Sequence, residues 1–243
     1  MLEVRESQFE SLDHQYGAGR SFEEGRQDAR GVCDLEKLLR NVPLRHRMLK
    51  SKDYVFRAGQ PRHSLFLVHA GFFKTCLISA DGREKITGFK MRGDVLGLDS
   101  LGMQNYACDA IALDTGEVWE LPYGDLCGSM PEFEQAITFF LAAEIRRDWT
   151  WMLTLATLSA DQRVASFLLD LATRLGMLGF SQHHMTLRMS RADLGSFLAL
   201  KLETVTRALS RLQERGFITV NGKDILLRDP DSMNELLQAA DCN

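Results

Sequence analysis

Three side chains near the carboxyl end of the chain have the types and the spacing to read bases in DNA. Glu203, Thr206 and Arg207 lie at i, i+3 and i+4 of a predicted helix over residues 203–216, so they share one face. Arginine donates two hydrogen bonds to guanine, glutamate accepts one from cytosine, and threonine offers a hydroxyl or a methyl group. The alternative is an i, i+4 surface ion pair, which contributes roughly a few tenths of a kcal/mol.

The elements around these residues predict a winged helix-turn-helix, which favours base reading. Residues 190–198 form a short helix with Ser190 as its N-cap and Asp193 at the third helical position, a capping-box arrangement. The helix over residues 203–216 follows after a short turn. Two apolar runs around Asn221–Gly222 then predict a β-hairpin. In such a fold the early residues of the second helix enter the major groove.

Charge supports a nucleic-acid contact at this end of the molecule. Residues 186–228 carry eight Lys/Arg and four Asp/Glu, whereas the whole chain has a net charge of −4. Four basic side chains near the reading face are expected to contact phosphates, although each could also be simply solvated: Arg191, Lys201, Arg211 and Lys223.

Two positions depart from the usual helix-turn-helix pattern. Ala199 occupies the turn position where glycine is common, and Lys201 stands where a serine or threonine would cap the reading helix. The missing cap costs the helix about 1 kcal/mol. We therefore expect a less stable reading head.

Composition limits the class of protein. Of the 243 residues, 45% are hydrophobic and 26% are charged, which is typical of a globular protein. The acidic first 30 residues contain no apolar run, and the sequence has no stretch long enough to span a membrane. Five widely scattered cysteines do not form a disulfide framework. The sequence predicts a protein of the reducing cytoplasm without a membrane partner.

The fold class predicted from the chain is α+β, in four segments. Residues 1–33 are a flexible arm. Residues 34–130 form an all-β roll or sandwich, because short apolar runs alternate with glycines 11 or 12 residues apart. Residues 131–159 form a long dimerisation helix, and residues 160–243 form the winged helix-turn-helix domain.

The long helix carries a coiled-coil seam that predicts a homodimer. Leu141, Ile145, Asp148, Met152 and Leu155 are spaced by 4, 3, 4 and 3 residues. The alternative is one helix packed on its own domain. In a dimer, the two copies of Asp148 would approach each other across the two-fold axis and repel. A signal that offsets this repulsion would place two reading helices on two half-sites.

The chain resembles the CRP/FNR superfamily, and within it the FNR group. Residues 86–99, 120–122 and 202–207 carry the resemblance, the last with threonine in place of the serine of the E-x-x-S-R pattern. The resemblance implies a transcription regulator that binds double-stranded DNA at a TTGAT-like palindrome. It also implies that the β-roll over residues 34–130 is similar to a cyclic-nucleotide-binding jelly roll. It also implies that Ile145 and Asp148 lie where the dimer is switched.

The resemblance further implies a surface for RNA polymerase at Ile86, Thr87, Gly88 and Asp94, for which the alternative is an ordinary strand and turn.

The differences from the family pattern concern its cofactors. The arm has only Cys33, and Trp119 replaces the expected cysteine of the roll, so no iron–sulfur cluster is expected. The stretch over residues 104–110 lacks the arginine that cyclic AMP binding requires. A heme sensor with an undetermined axial histidine stays an alternative. A β-roll metalloenzyme would need more histidines than His63 and His69, so the protein is not expected to be an enzyme.

Overall fold

A computed structural model of the chain describes residues 35–79 and 82–238. The predicted arm at residues 1–33 lies outside these ranges. None of the helices within them has the length and hydrophobicity required to cross a membrane.

The first half of the described chain is a roll of two four-stranded antiparallel sheets, as predicted. One sheet has the strand order β1-β8-β3-β6 and the other β2-β7-β4-β5. The strands are β1 (Arg45–Leu49), β2 (Tyr54–Phe56), β3 (Leu65–Ala70), β4 (Phe73–Ile78), β5 (Glu84–Lys90), β6 (Val95–Leu96), β7 (Asp109–Ala112) and β8 (Gly116–Leu121).

The glycine spacing reflects tight turns between these strands. Gly71 joins β3 to β4 with a φ of 88°, and a Cβ atom there would lie 2.6 Å from the Cα atom of Gly116. Only glycine combines this left-handed backbone with such a close approach. Gly59, Gly82 and Gly93 also have positive φ.

The interior of the roll is filled by aromatic side chains. Phe56 and Tyr106 stack with ring centroids 3.9 Å apart, and Phe66 packs beside both rings. The Tyr106 hydroxyl donates a hydrogen bond of 2.7 Å to the carbonyl oxygen of Ser64, so the one polar atom of this stack is satisfied. These contacts make the centre of the roll a packed core.

Within the described residues, six α-helices follow the last strand of the roll. They are α1 (Tyr123–Ser129), α2 (Pro131–Thr157), α3 (Ala160–Met177), α4 (Arg191–Leu198), α5 (Leu202–Glu214) and α6 (Pro230–Gln238). The helix predicted over residues 131–159 is α2, which begins at Pro131 and ends at Thr157. Ser159 caps α3 in a reciprocal capping box with Gln162, so only Leu158 and Ser159 separate the two long helices.

The reading head contains α3 to α6 and a three-stranded sheet. Its strands, β9 (His184–Thr186), β10 (Ile218–Asn221) and β11 (Asp224–Leu227), have the order β10-β11-β9. The predicted hairpin turns at Gly222, whose φ is 61°. Strand β9 was not predicted, because three residues are too short for an alternating pattern to be recognised.

Four aromatic rings join the roll, the long helix and the reading head. Phe89 of β5, Trp151 of α2, Phe167 of α3 and Phe197 of α4 are all buried. The ring of Phe197 lies 4.8 Å from Trp151, 5.3 Å from Phe89 and 6.0 Å from Phe167, each in an edge-to-face arrangement. Such pairs contribute about 0.5–1.5 kcal/mol each beyond the burial of their area.

We expect Phe197→Ala to lower the free energy of unfolding by about 3–5 kcal/mol, because it removes the ring shared by three aromatic contacts. Chemical denaturation followed by circular dichroism measures the change. The control is Phe180→Ala, whose side chain is 62% exposed and should change stability by less than about 0.5 kcal/mol. Similar losses in both variants would contradict a central role for the cluster.

Candidate nucleic-acid interface

The reading helix α5 has one buried and one exposed face. The three predicted base-reading residues Glu203, Thr206 and Arg207 are exposed. The opposite face packs into the core of the head through Val205, Ala208, Leu209 and Leu212. The amphipathic pattern that fixes this helix in the head therefore also leaves the three polar side chains in solvent.

Two of these three side chains are free to meet a ligand. In the part of the chain that the structure describes, no ion pair joins Glu203 to Arg207, so the alternative of a surface pair is not formed. The Thr206 hydroxyl donates a hydrogen bond of 3.0 Å to the carbonyl oxygen of Leu202. The methyl group of Thr206 is exposed with the rest of the side chain and is available to contact a ligand.

The turn between α4 and α5 contains a strained residue. Ala199 has a φ of 54° and a ψ of 43°, the left-handed conformation that glycine adopts without cost. Gly195 makes the turn possible, because a Cβ atom there would lie 2.7 Å from the carbonyl oxygen of Leu200. Sequence reasoning did not find Gly195, since its role arises from a close approach across the turn. Lys201 provides no side-chain cap for α5, as expected.

The four basic residues predicted to contact phosphates differ in their surroundings. Lys201 and Lys223 are exposed. Arg191 donates a 3.0 Å hydrogen bond to the carbonyl oxygen of Gly222 at the tip of the wing. Arg211 forms a bidentate pair with Asp161, which raises the pKa of the arginine. Both arginines therefore already hold elements of the head together.

Helix α2 leaves an apolar stripe in solvent. Ile145, Trp149 and Met152 are 42%, 56% and 65% exposed. Ile145 and Met152 belong to the predicted seam, and Trp149 is an additional member that the heptad pattern did not select. Leu155, also predicted in the seam, packs partly against the core of its own chain. The exposed stripe is thus rotated slightly from the predicted one.

Asp148 lies at the edge of this stripe, beside the junction with the roll. Partial burial and the nearby Glu144 carboxylate raise the pKa of Asp148. Glu144 itself pairs with Lys90 of β5, whose side chain is buried. Among the described residues no ion pair involves Asp148, so its negative charge is poorly compensated.

The residues predicted to contact RNA polymerase are mostly engaged within the chain. Ile86 is 1% exposed and lies against the reading head. Asp94 pairs with Arg174 of α3, and this cation together with Lys90 outweighs the effect of burial and lowers the pKa of Asp94. Thr87 is exposed and Gly88 is half-buried. The geometry therefore leaves Thr87 as the most accessible of the four.

Two of the three described cysteines, Cys76 and Cys108, are poor ligands for an iron–sulfur cluster. Burial raises the pKa of Cys76 to about 11 and also raises the pKa of Cys108, which disfavours the thiolates that such clusters require. Within residues 35–79 and 82–238, no three His, Cys, Asp or Glu side chains gather as a metal site would need. Cys33 and Cys242 lie outside the described residues.

Comparison with known proteins agrees with this architecture. Residues 46–128 match the profile of the cyclic nucleotide-binding domain, and residues 162–236 match that of the Crp-like helix-turn-helix domain. Electron transport regulator A of Shewanella oneidensis is 37% identical over 195 residues, which cover 79% of this chain and 78% of that protein. The chain belongs to the CRP/FNR family of transcription regulators.

Other members of the CRP/FNR family confirm the assignment. The fumarate and nitrate reduction regulatory protein of Escherichia coli K12 is 34% identical over 201 residues, covering 82% of this chain and 80% of that protein. The structure of FixK2 from Bradyrhizobium japonicum has a TM-score of 0.73 and 29% identity, covering 80% of this chain and 98% of that chain. CRP/FNR proteins are DNA-binding regulators that act as dimers, and they are not enzymes.

We expect Ala199→Gly to raise the free energy of unfolding by about 0.5–1 kcal/mol, because glycine relieves the left-handed strain in the turn of this CRP/FNR head. The same denaturation experiment measures the gain. As a matched control, Ala192→Gly on the exposed side of α4 should lower stability by about 0.5–1 kcal/mol. A loss in Ala199→Gly as large as in the control would show that the turn is not strained.

Proposed function

We propose that this CRP/FNR regulator binds TTGAT-like half-sites arranged as a palindrome. The observation that carries the proposal is the exposed face of Glu203, Thr206 and Arg207 on a helix whose other side is locked into the head. Arg207 donates two bonds to guanine, Glu203 accepts from a cytosine, and the Thr206 methyl group contacts a thymine methyl.

The backbone of the DNA would be held mainly by the two free lysines. Lys201 stands at the start of the reading helix and Lys223 at the tip of the wing, and both are exposed. The uncommitted donors of Arg191 and Arg211 add to this positive surface. These contacts position the head without selecting the sequence.

The active form in this proposal is a dimer formed along the exposed stripe of α2. Pairing of Ile145, Trp149 and Met152 with their copies would remove three large apolar side chains from water. Dimerisation would place the two reading helices about 34 Å apart, the spacing of successive half-sites. Asp148 at the edge of the stripe opposes this association through its charge.

RNA polymerase is the expected partner on DNA. Ile86 and Asp94 are engaged within the chain, so in this proposal they support the contact surface and Thr87 is the exposed member. We expect the protein to act in the cytoplasm, where DNA and RNA polymerase are found together.

We further propose that the described part of the protein works without an iron–sulfur cluster, cyclic AMP or heme. The donor set does not suit a cluster, and the aromatic core fills the roll. His46 and His69 stack on either side of the indole of Trp119, with ring centroids 5.0 and 4.5 Å away. Among the described histidines only His69 has a buried ring nitrogen without a hydrogen bond, its Nδ1, and the Glu36 carboxylate lies next to that atom, 3.8 Å away.

The first experiment is fluorescence anisotropy with a TTGAT–N4–ATCAA duplex, with and without air, together with the visible spectrum. We expect tight binding by a colourless protein that air does not change. Binding that requires a coloured or anaerobic form would establish a cofactor and overturn the cofactor-free proposal.

Arg207→Ala should weaken binding to this duplex by about 1–3 kcal/mol and should also reduce discrimination at the guanine of the half-site. Both effects are measured by repeating the titration with that guanine replaced. Arg215→Ala is the control, because Arg215 lies at the far end of α5 over the ring of Phe217. Equal losses on both duplexes would make Arg207 a phosphate contact.

Asp148→Ala should strengthen dimerisation and operator binding, because it removes a carboxylate that meets its own copy. Sedimentation velocity over a concentration series measures the dimer, and the anisotropy titration measures operator binding. Glu132→Ala removes an exposed carboxylate from the other face of the same helix and should change neither quantity. Sedimentation of Asp148→Ala identical to that of the parent protein would refute the role of its charge.

A further inference from the structure

The first helix of the helix-turn-helix is docked on a hairpin of the roll. Ser196 of α4 lies beside β5, where its hydroxyl accepts a 3.0 Å hydrogen bond from the amide of Ile86 and donates a 3.2 Å hydrogen bond to the carbonyl of Glu84. The hydroxyl group of a single side chain of the reading head thus both accepts and donates a hydrogen bond with the backbone of the roll.

Lys74 of β4 holds the amino end of the same helix. Its side chain is only 13% exposed, and its ammonium group lies 2.9 Å from Asp193 and also pairs with Glu84. Burial alone would lower the pKa of Lys74, but the two carboxylates outweigh it and raise the pKa. Asp193 in turn closes the capping box with Ser190, so the cap of α4 is tied to the roll.

Lys85 of β5 holds the carboxyl end of α4. Its ammonium group donates to the carbonyl oxygens of Ser196 and Phe197. A cation at this end of a helix is favourable, because the last carbonyl groups carry partial negative charge and have no partner within the helix. Burial lowers the pKa of Lys85. Polar contacts therefore restrain both ends and the middle of α4, and Phe197 anchors its apolar side.

The docking matters because the covalent connection between the head and the rest of the chain is short, so the contacts around the head set its orientation. Only Leu158 and Ser159 separate α2 from α3. An undocked head would rotate about this linker. DNA binding would then have to offset the free-energy cost of fixing the orientation of the head. The docking leaves Glu203, Thr206 and Arg207 exposed.

We propose that Lys74 and Ser196 are positioning residues for DNA recognition: they fix the orientation of the reading head on the roll, so that both heads of a dimer meet their half-sites at once. The inference rests on the proposed function, because it assigns a role to residues that touch no DNA. It predicts a selective effect on binding that uses two heads.

The test compares a palindromic duplex with a duplex that contains one half-site. Lys74→Met and Ser196→Ala should each weaken binding to the palindrome by about 10-fold, because the competent orientation becomes a minor population. Binding to the single half-site should change by less than about 2-fold, since one head can be captured in any orientation. Lys74→Arg should restore palindrome binding. Lys50→Met, an exposed lysine between β1 and β2, is the control.

A second readout does not use DNA. Thermolysin cleaves before large apolar residues, so its cleavage of the linker between Thr157 and Leu158 should accelerate by about 10-fold in Lys74→Met, because an undocked head exposes the linker more often. Circular dichroism verifies that the variant remains folded. An unchanged cleavage rate, or equal losses on the two duplexes, would overturn the inference. Failure of the parent protein to bind either duplex, with accelerated cleavage in the variant, would overturn the proposed function and leave the docking role of Lys74 supported.

Discussion

The edge-to-face packing of four aromatic rings is the interaction on which the arrangement of this protein depends. Phe89, Trp151, Phe167 and Phe197 come from the roll, the long helix and two helices of the reading head, and all four are buried in one core. A change in the position of α2 must therefore also displace α4. Densely packed interiors transmit such displacements because they have no space in which to absorb them.

Charged groups surround the aromatic cluster and define its geometry. Lys90 pairs with Glu144, Arg174 with Asp94, and Arg147 with Asp170, so each pair joins a different two of the three parts of the molecule. Such partly buried pairs add little net stability, but removal of one partner is costly because the other charge is left uncompensated. The pairs thus disfavour other relative positions of the roll, the helix and the head. Asp148 lies beside these pairs, and among the described residues it forms no ion pair of its own, so burial and the Glu144 carboxylate raise its pKa.

Much of this arrangement was accessible from local sequence patterns. The turn glycines predicted the roll, the spacing of Leu141, Ile145, Met152 and Leu155 indicated the long helix α2, and Asn221–Gly222 predicted the wing. The turn signals are reliable because each depends on the conformational limits of one or two residues. The exposed reading face of α5 was predictable for a similar reason, since the period of a helix separates Val205 from Arg207 whatever the head packs against. The alternative of an ion pair between Glu203 and Arg207 could be judged only from the placed side chains.

Contacts between distant segments could not be predicted from the sequence. Ile86 and Asp94 were predicted as a surface for polymerase, but one packs against the head and the other pairs with Arg174, because the roll and the head share an interface. Likewise, Leu155 packs partly inside its own chain, and Trp149 takes its place on the exposed stripe. Periodicity identifies the faces of a helix but not which of two neighbouring faces the rest of the chain will cover.

The sequence by itself determined the roll, the long helix, the helix-turn-helix and the wing hairpin, their order and the chemistry of the reading face, because these follow from backbone geometry and helical period within a few residues. Only the tertiary structure decided which polar groups form internal contacts. Arg191 bonds to the wing, Arg211 pairs with a carboxylate of α3, and Lys74 pairs with Asp193 in the cap of α4. The physical reason is that a charged side chain has the same appearance in a sequence whether its partner is water, DNA or a carboxylate 119 residues away.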